Sequence, residues 1–503
     1  MINKFVLAFL IFFASYPTFA ITLSDTTAVV EHNSRWVNLL SQSRNNPAFM
    51  SNAYHTSYTQ IGIATDYCYE NKAIIQQLGN RHLLNKAFVH SYLTLGNKST
   101  VWGGASYQYG NKYNIRYCST SDYALLEPYV MADTIGGNLI NEQYTFYGGY
   151  AFGIGKWEIG ATLHFRAEHE YRMIDPRPRG IATELNASLG VHYLLSQYQL
   201  GFGIGTNVYR QTNDVQFYNE LGVKPEYHAT GLGTDYLRFA GANRTCHYKG
   251  LGLIANLHLK PAHVSGLYGS AQYLYIPYKK ILTEINALPI STLYLQTLNT
   301  SIGWKQNTPI GYALYCEANV SHRRGNEHIA GSASGSEYVS LITLSMYRHI
   351  QSNYYVGAAF NIDKKTHLIF DVRVGYQVDA AQYERLERIM DCTKMYTTMG
   401  LQYIVPLTPY SWFMLDADMA RYAHRKDRLV MPYVTMNNYI INFINDRFTS
   451  LTSSYTNYHG KLSYYLYPKT WRGVGLFVTF SSNYLIMNNR SQKACKGSIG
   501  ATF

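Results

Sequence analysis

Beyond residue 20 the chain has no uninterrupted apolar run of the ~18 residues that a membrane-crossing helix needs, which excludes a helical membrane protein. Charge is scarce too. Asp, Glu, Lys and Arg make up 15% of the chain, against roughly 25% in soluble domains. Proline is limited to 14 residues, so no proline-rich linker divides the chain into domains. The six cysteines are far apart and none forms Cys-x-x-Cys, which removes the common zinc and redox motifs. The net charge is +12, but no dense Lys/Arg run and no nucleic-acid motif accompany it.

What is abundant is tyrosine, with 48 residues, and glycine, with 39. Much of the chain also alternates with period two. In "KWEIGATLHFRAEHEYR" (156–172), Trp157, Ile159, Ala161, Leu163, Phe165 and Ala167 fall on one side. Glu158, Gly160, Thr162, His164, Arg166 and Glu168 fall on the other. Strands turn successive side chains to opposite faces, so one face is dry and the other wet. The pattern recurs in 144–155, 183–195, 198–209, 251–260 and 367–378, where His, Asp371 and Arg373 occupy the wet side. Such segments reach the ~9–11 residues that a tilted strand needs to cross a bilayer, whereas soluble strands average five or six.

Predicted connections alternate in length. Tight turns fall at 96–99, 153–155, 196–197, 261–265, 406–409 and 467–470. Long polar segments fall near 66–85, 110–141, 170–181, 211–249, 278–291, 323–336, 379–394 and 424–452. The expected fold is therefore all-β: a single transmembrane antiparallel β-barrel with short periplasmic turns and long extracellular loops. Two successive short turns, near 349–352 and 362–366, disturb the count, so about 18 strands are expected, with 14 and 16 as alternatives. The chain end, "SIGATF", places Ile499, Ala501 and Phe503 in one phase and resembles the terminal assembly signal of outer-membrane barrels.

The N-terminus reads as an export signal: Lys4, an apolar stretch from Phe5 to Tyr16, and small Thr18 and Ala20 before a cut after residue 20. Residues 21–52 form a short periplasmic segment or partial plug, and 53–503 form the barrel. The expected location is the outer membrane of a Gram-negative bacterium. Outer-membrane lipid, lipopolysaccharide, the barrel-assembly machinery and another outer-membrane or surface protein are the expected partners. Nucleic acid is not one of them.

"NNPAF" (45–49) resembles the Asn-Pro-Ala signature of FadL-type hydrophobic-compound channels and PorP-type barrels. "YVMADTIGGNLINEQYTFYGGYAF" and "RAEHEYRMIDPRPRG" resemble an uncharacterised Bacteroidota outer-membrane barrel family. The FadL resemblance implies an N-terminal hatch, for which only residues 21–52 are available. Neither resemblance implies a substrate.

Candidate lumen and mouth residues are Glu158, His164, Arg166, Glu168, Arg172, Asp371 and Arg373. Charged rings at a mouth select solutes; the same groups equally build a salt-bridge network that fills the barrel and orders a loop. Neighbours on a strand point apart, so Glu168, His169 and Glu170 cannot converge on a metal. "SHRRGNEHIAG" (321–331) reads as a solvated loop, "GSASGS" (331–336) as a flexible one, and "DAAQYERLERIMDCTK" (379–394) as a short helix within a loop. Cys68 and Cys118 fall in predicted loops and can pair in an oxidising compartment. Cys316 reads as a free thiol on an apolar face. His164 and His192 are candidate bases with no identifiable nucleophile, so no catalytic residue, cofactor or metal is assigned and an enzyme is not expected. The expected function is a transport channel or porin-like conduit, or an accessory of an uptake complex. The alternatives are a structural or secretion-associated barrel and, third, an outer-membrane hydrolase.

Overall fold

The computed structural model describes residues 24–503 apart from 52, 97, 220–225, 237–244, 264, 283–286, 309, 332–339, 364–365, 434–437 and 472. The predicted export signal therefore lies outside the described residues, as does 332–336 of the "GSASGS" stretch. Eighteen antiparallel strands close into one sheet. In chain order they are β1 (Tyr58–Glu70), β2 (Arg81–Leu95), β3 (Ser99–Ile115), β4 (Gly137–Ile154), β5 (Trp157–Tyr171) and β6 (Arg177–Leu195). Next come β7 (Tyr198–Gln216), β8 (Thr245–Pro261), β9 (Gly266–Leu282), β10 (Leu288–Gln306), β11 (Ile310–Ala330) and β12 (Ser340–Asp363). The last six are β13 (His367–Tyr383), β14 (Arg388–Thr408), β15 (Ser411–Val430), β16 (Tyr455–Leu466), β17 (Gly475–Met487) and β18 (Arg490–Thr502). Closure comes from β18 against β1, with Ile499 opposite Ile63 and Ala501 opposite Ile61.

The alternation dictates which face is out. Ile63, Leu163, Leu189, Leu251, Val356 and Val478, spread around the sheet, are each at least half exposed. Soluble monomers rarely expose an apolar patch beyond ~300–600 Å², and a belt around all strands exceeds that. Lipid is the solvent for such a belt, and closure leaves no sheet edge with unmet hydrogen bonds. The strands run from 12 to 24 residues, so the longest hairpins project beyond a bilayer.

One end carries tight turns, among them 155–156, where Gly155 takes φ +63°. The other end carries the long connections 116–136, 217–244 and 431–454. The first of these contains a helical turn at Tyr123–Leu126 and the strand Met131–Ala132, which pairs with Tyr227–Gly231 and, through it, Thr234–Asp235. The last contains a helix, α2 (Asn438–Thr452). Residues 24–57 precede the barrel as α1 (Ser24–Asn33), a helical turn at Arg35–Asn38, and two 3-10 turns, Ser41–Asn45 and Pro47–Met50.

Several expectations are corrected. The segment 379–394 is not a helix: it finishes β13, turns at Glu384–Leu386 and starts β14, with Tyr383 opposite Arg388. Its three-residue apolar spacing comes from strand, turn and strand, and cross-strand pairing overrides helix propensity. The stretch 349–352 is mid-strand in β12, which removes the surplus turn and gives the even count. Residues 321–330 belong to β11 rather than a solvated loop. The segment 170–181 is mostly strand around a short 172–176 turn. Projecting hairpins meet no lipid, so nothing there demands alternation. Cys68 and Cys118 do not pair: all six cysteines are free, and the Cys118 thiol donates to the Thr120 carbonyl at 3.1 Å. Cys316 is free and exposed, as expected.

Candidate functional site

Two inserts occupy the lumen. At the turn end, residues 24–57 bind strands around the wall. The Arg35 guanidinium donates to Asp416 Oδ1 at 2.9 Å, Asp418 Oδ1 at 2.6 Å and Asp371 Oδ1 at 3.3 Å. Burial alone would lower the Arg35 pKa, but these carboxylates, Asp418 foremost, outweigh it and raise it. Trp36 Nε1 donates to Asn307 at 3.0 Å, and Lys305 Nζ donates to the Trp36 carbonyl at 2.6 Å. Gln42 donates to Glu317 on β11 at 2.9 Å. On the far wall, Tyr92 donates to the Met50 carbonyl at 2.8 Å and Thr100 to the Ser51 carbonyl at 3.0 Å.

The "NNPAF" stretch has a structural role here. Gly160, Gly190 and Gly201, on the inward faces of β5, β6 and β7, form a bay that receives Asn46, Pro47 and Phe49. A Cβ at Gly160 would collide with the Pro47 backbone, at Gly190 with the Asn46 side chain, and at Gly201 with the Phe49 ring. Phe49 also stacks on His192, with ring centroids 4.6 Å apart.

At the loop end, residues 116–136 fold inward instead of outward. Met131 and Ala132 are fully buried. Tyr248 donates to the Tyr129 carbonyl at 2.9 Å, Lys280 to the Val130 carbonyl at 3.0 Å and Gln211 to the Ser121 carbonyl at 3.0 Å. Arg323 donates to the carbonyls of Ala124 at 2.8 Å and Glu127 at 3.2 Å. A buried loop must have its backbone groups met, and here side chains of the wall meet them.

The predicted site residues divide among these layers. Arg166 grips the inward loop through both Asp122 oxygens, at 2.9 and 2.7 Å, and also bonds Glu184 at 3.1 Å. Glu168 accepts from Asn141 at 2.6 Å and pairs with Arg166. Arg172, nearly fully buried, lies 3.6 Å from Asp133 of the inward loop and donates to the Pro176 carbonyl at 3.3 Å. Of the two alternatives for this stretch, the geometry matches the network that orders a loop. Glu158 pairs with His192 at 2.9 Å near the turn end. His164 sits beside Tyr147 on the wall, ring centroids 6.4 Å apart. Asp371 and Arg373 lie on β13, 3.4 Å apart, in a different part of the lumen. The seven residues do not form one ring. Ile499 and Phe503 face outward, and the Phe503 amide donates to Thr59 at 2.9 Å, so the tail stitches the barrel seam.

Two features of the wall escaped the sequence reading. One is a row of inward tyrosines in cross-strand register: Tyr355, then Gly375, Tyr396, Tyr422 and Tyr455 on β12 to β16. Tyr396 and Tyr422 stack at 4.8 Å, and Tyr422 and Tyr455 at 4.4 Å. Arg373 lies 5.7 Å over Tyr355 and donates to the Tyr315 hydroxyl at 3.1 Å. The Tyr396 ring covers Gly375, where a Cβ would strike it.

The other feature is a cavity of about 370 Å³ at the loop end. Its floor includes Pro128 and Val130 of the inward loop, its roof Phe443 and Arg447 of α2, and its wall Lys394 and Tyr455. Arg447 bridges roof and floor, 3.2 Å from Glu127 Oε2, and Arg323 lies 3.6 Å from Glu127 Oε1. Burial pushes the Glu127 carboxyl up, but Arg447 and Arg323 override this and hold it below its ordinary value. Asp446 on α2 is paired with Arg490 at 2.7 Å and is likewise held low despite burial. Among the described residues, no group of three or more His, Cys, Asp or Glu side chains is arranged to hold a metal.

Among solved structures, the chain is similar to BauA, the ferric preacinetobactin receptor of Acinetobacter baumannii. The identity is 8% and the TM-score 0.39, over 89% of this chain and 80% of that one. It is similar to the ferric-catecholate import receptor Fiu of E. coli K12 at 8% identity and TM-score 0.39, over 88% and 81%. It is also similar to the CymD monoaromatic hydrocarbon channel at 10% identity and TM-score 0.30, over 96% and 93%. Likeness at this level carries no argument about cargo. No curated protein matches the sequence. One family model does, described as Family of unknown function (DUF6850); it spans residues 47–503, from the Pro47 that seats in the glycine bay to the closing strand, and the chain belongs to that family.

Proposed function

We propose that the protein is a transport conduit of a Gram-negative outer membrane, exported by residues 1–20 and closed at rest by two inserts. The observation that carries this reading is how the inserts are held. Both are side-chain and backbone segments bonded to the wall through ion pairs and hydrogen bonds, not strands of the sheet. Water can replace such contacts at modest net cost, ~0.5–1.5 kcal/mol for a typical hydrogen bond, whereas the sheet cannot open without breaking whole ladders. A barrel serving only as scaffold needs no such separable closures.

The terminal strand ending in Phe503 is the proposed handle for the assembly machinery, and the basic surplus suits lipopolysaccharide phosphates. The Asn-Pro-Ala resemblance to FadL-type and PorP-type barrels, and a Bacteroidota source, belong to the same proposal. The test is planar-bilayer recording of the intact barrel and of a form that lacks residues 24–52 and carries Arg166→Met, which frees Asp122 of the loop-end insert. Quiet intact protein and step conductances in the shortened form are expected. Silence in both, together with co-purification of a surface or periplasmic protein, would instead support the secretion-associated reading.

A further inference from the structure

The loop-end cavity has an asymmetry of charge that identifies its ligand. Three of its four carboxylates are paired within the protein, and the fourth, Asp235, has no described cation beside it and is pushed by burial toward its neutral form. Glu127 is held by Arg447 and Arg323, and Asp446 by Arg490 and Lys72. Asp379 is drawn toward β12, accepting from His349 at 2.9 Å and Gln351 at 2.8 Å. Lys394 turns the other way. Its ammonium lies 4.8 Å over the Tyr455 ring, and among the described residues no carboxylate stands within ion-pair distance of it. The residue is 93% removed from solvent, so an ammonium that would be hydrated on a surface has a ring face and the cavity as its surroundings.

Beyond Lys394 the cavity is greasy. Leu485 and Met487 on β17, Leu451 and Phe443 on α2, and Met390 on β14 face the same space, with Tyr347 at its far side. The volume falls at the low end of the ~300–1,000 Å³ typical of small-molecule sites. Rings and branched or thioether chains make up much of this part of the lining.

We infer that this cavity binds a compact aromatic organic acid, with its anionic head on Lys394 and its ring against Tyr455, Leu485 and Met487. The inference deepens the conduit reading, since the site lies at the loop-end mouth, and it gives α2 and the inward loop a shared ligand.

The test is calorimetric titration of the full-length barrel in detergent with three probes: 2-naphthoate, neutral 2-naphthamide and hexanoate. Saturable one-to-one binding of 2-naphthoate is expected, with the amide and hexanoate each at least tenfold weaker. Lys394→Met should weaken 2-naphthoate at least tenfold and leave the amide unchanged, while Lys394→Arg should stay within threefold of the native chain. Leu485→Trp, which fills the cavity without touching the lysine, should abolish binding in a barrel that still resists unfolding in SDS at room temperature. Equal binding of naphthoate and amide, equal binding by Lys394→Met, or no binding to the native chain overturns the assignment. Hexanoate matching naphthoate overturns its aromatic part. The two readings separate cleanly. Conductance of the shortened Arg166→Met form without naphthoate binding by the native chain leaves the conduit and removes this ligand; binding without conductance does the reverse.

Discussion

Arg35 ties the turn-end closure to the wall through three carboxylates. Replacing it with Met keeps an unbranched stem and deletes the guanidinium with its charge. The native guanidinium meets three carboxylates on β13 and β15, at 2.6 to 3.3 Å. The side chains of Asp371 and Asp416 are 9% and 10% exposed, and that of Asp418 is 35% exposed. Without Arg35, Asp371 keeps Arg373 at 3.4 Å and Asp418 keeps His459 at 3.1 Å, while Asp416 keeps only the Gln402 amide at 2.9 Å. Removing one partner of a buried ion pair costs ~3–5 kcal/mol because the other charge is stranded. The exposure of Asp418 and the surviving partners place this case near the lower end, about 3 kcal/mol. Each 1.4 kcal/mol is tenfold, so the displaced population of residues 24–52 should rise by roughly two orders of magnitude. Hydrogen exchange of that segment in the reconstituted barrel reads this directly. Asp416→Asn added to Arg35→Met should recover part of the loss, since it removes the stranded charge. Exchange in Arg35→Met within threefold of native, or no recovery in the double variant, would refute an electrostatic hold.

Gly190→Ala should also loosen residues 45–50, because its methyl occupies the space of the Asn46 side chain. Overpacking of this kind costs ~1–3 kcal/mol, read as faster exchange of 45–50 with an unchanged barrel. His32 gives the closure a pH dependence: its ring stacks on Tyr54 at 3.7 Å, and burial holds its pKa below the ordinary 6.5 despite the Thr56 carbonyl and Glu31. A displaced His32 therefore takes a proton before the docked one does, so docking is strongest above pH 6.5 and weakens as pH falls through the lowered value. Exchange of 24–38 measured from pH 7.5 to 5.5 should show this, and His32→Gln should flatten it. On the outer face, Leu163→Arg puts a charge mid-strand on β5 and should cost ~2–4 kcal/mol in lipid. His164→Ala, one residue on and facing the lumen, should cost far less in the same unfolding titration.

The barrel was legible because lipid imposes a rule that every strand obeys where it touches hydrocarbon. Leu163 and Ile499 were placed by period alone. The inserts obey no such rule. Residues 24–57 and 116–136 carry no period, and their partners lie hundreds of residues away: Arg35 meets Asp418, and Arg323 meets Ala124. The dense stretch around Arg166 was visible as charge, but Asp122 and Asp133, which give it a purpose, sit in a segment read as an outer loop. The tyrosine row was hidden differently. Tyrosine is spread through the whole chain, and Tyr355, Tyr396 and Tyr422 lie outside the alternating stretches singled out in the sequence. Their phase was available as a signal, since Tyr355 shares a strand face with the polar Asn353 and Tyr396 with Lys394. The helix expected at 379–394 failed for the opposite reason: a period of three was read where a hairpin turn had produced it.

The arrangement of the two closures bears on how such a conduit opens. They share walls but not positions. On β5, Gly160 seats Pro47 at one end and Arg166 holds Asp122 six residues on, about 20 Å away at ~3.3 Å per residue. On β13, Asp371 meets Arg35 while Asp379 lines the loop-end cavity. Coupling between distant sites requires an intervening element with two discrete arrangements. The elements between these closures are strands hydrogen-bonded on both sides in a closed sheet. A ligand in the loop-end cavity is therefore expected to leave hydrogen exchange of residues 24–51 unchanged. On this arrangement the turn-end closure is loosened from its own side, by competition for the carboxylates that hold Arg35. On the conduit reading, passage takes two separate steps, and each can be disabled without the other.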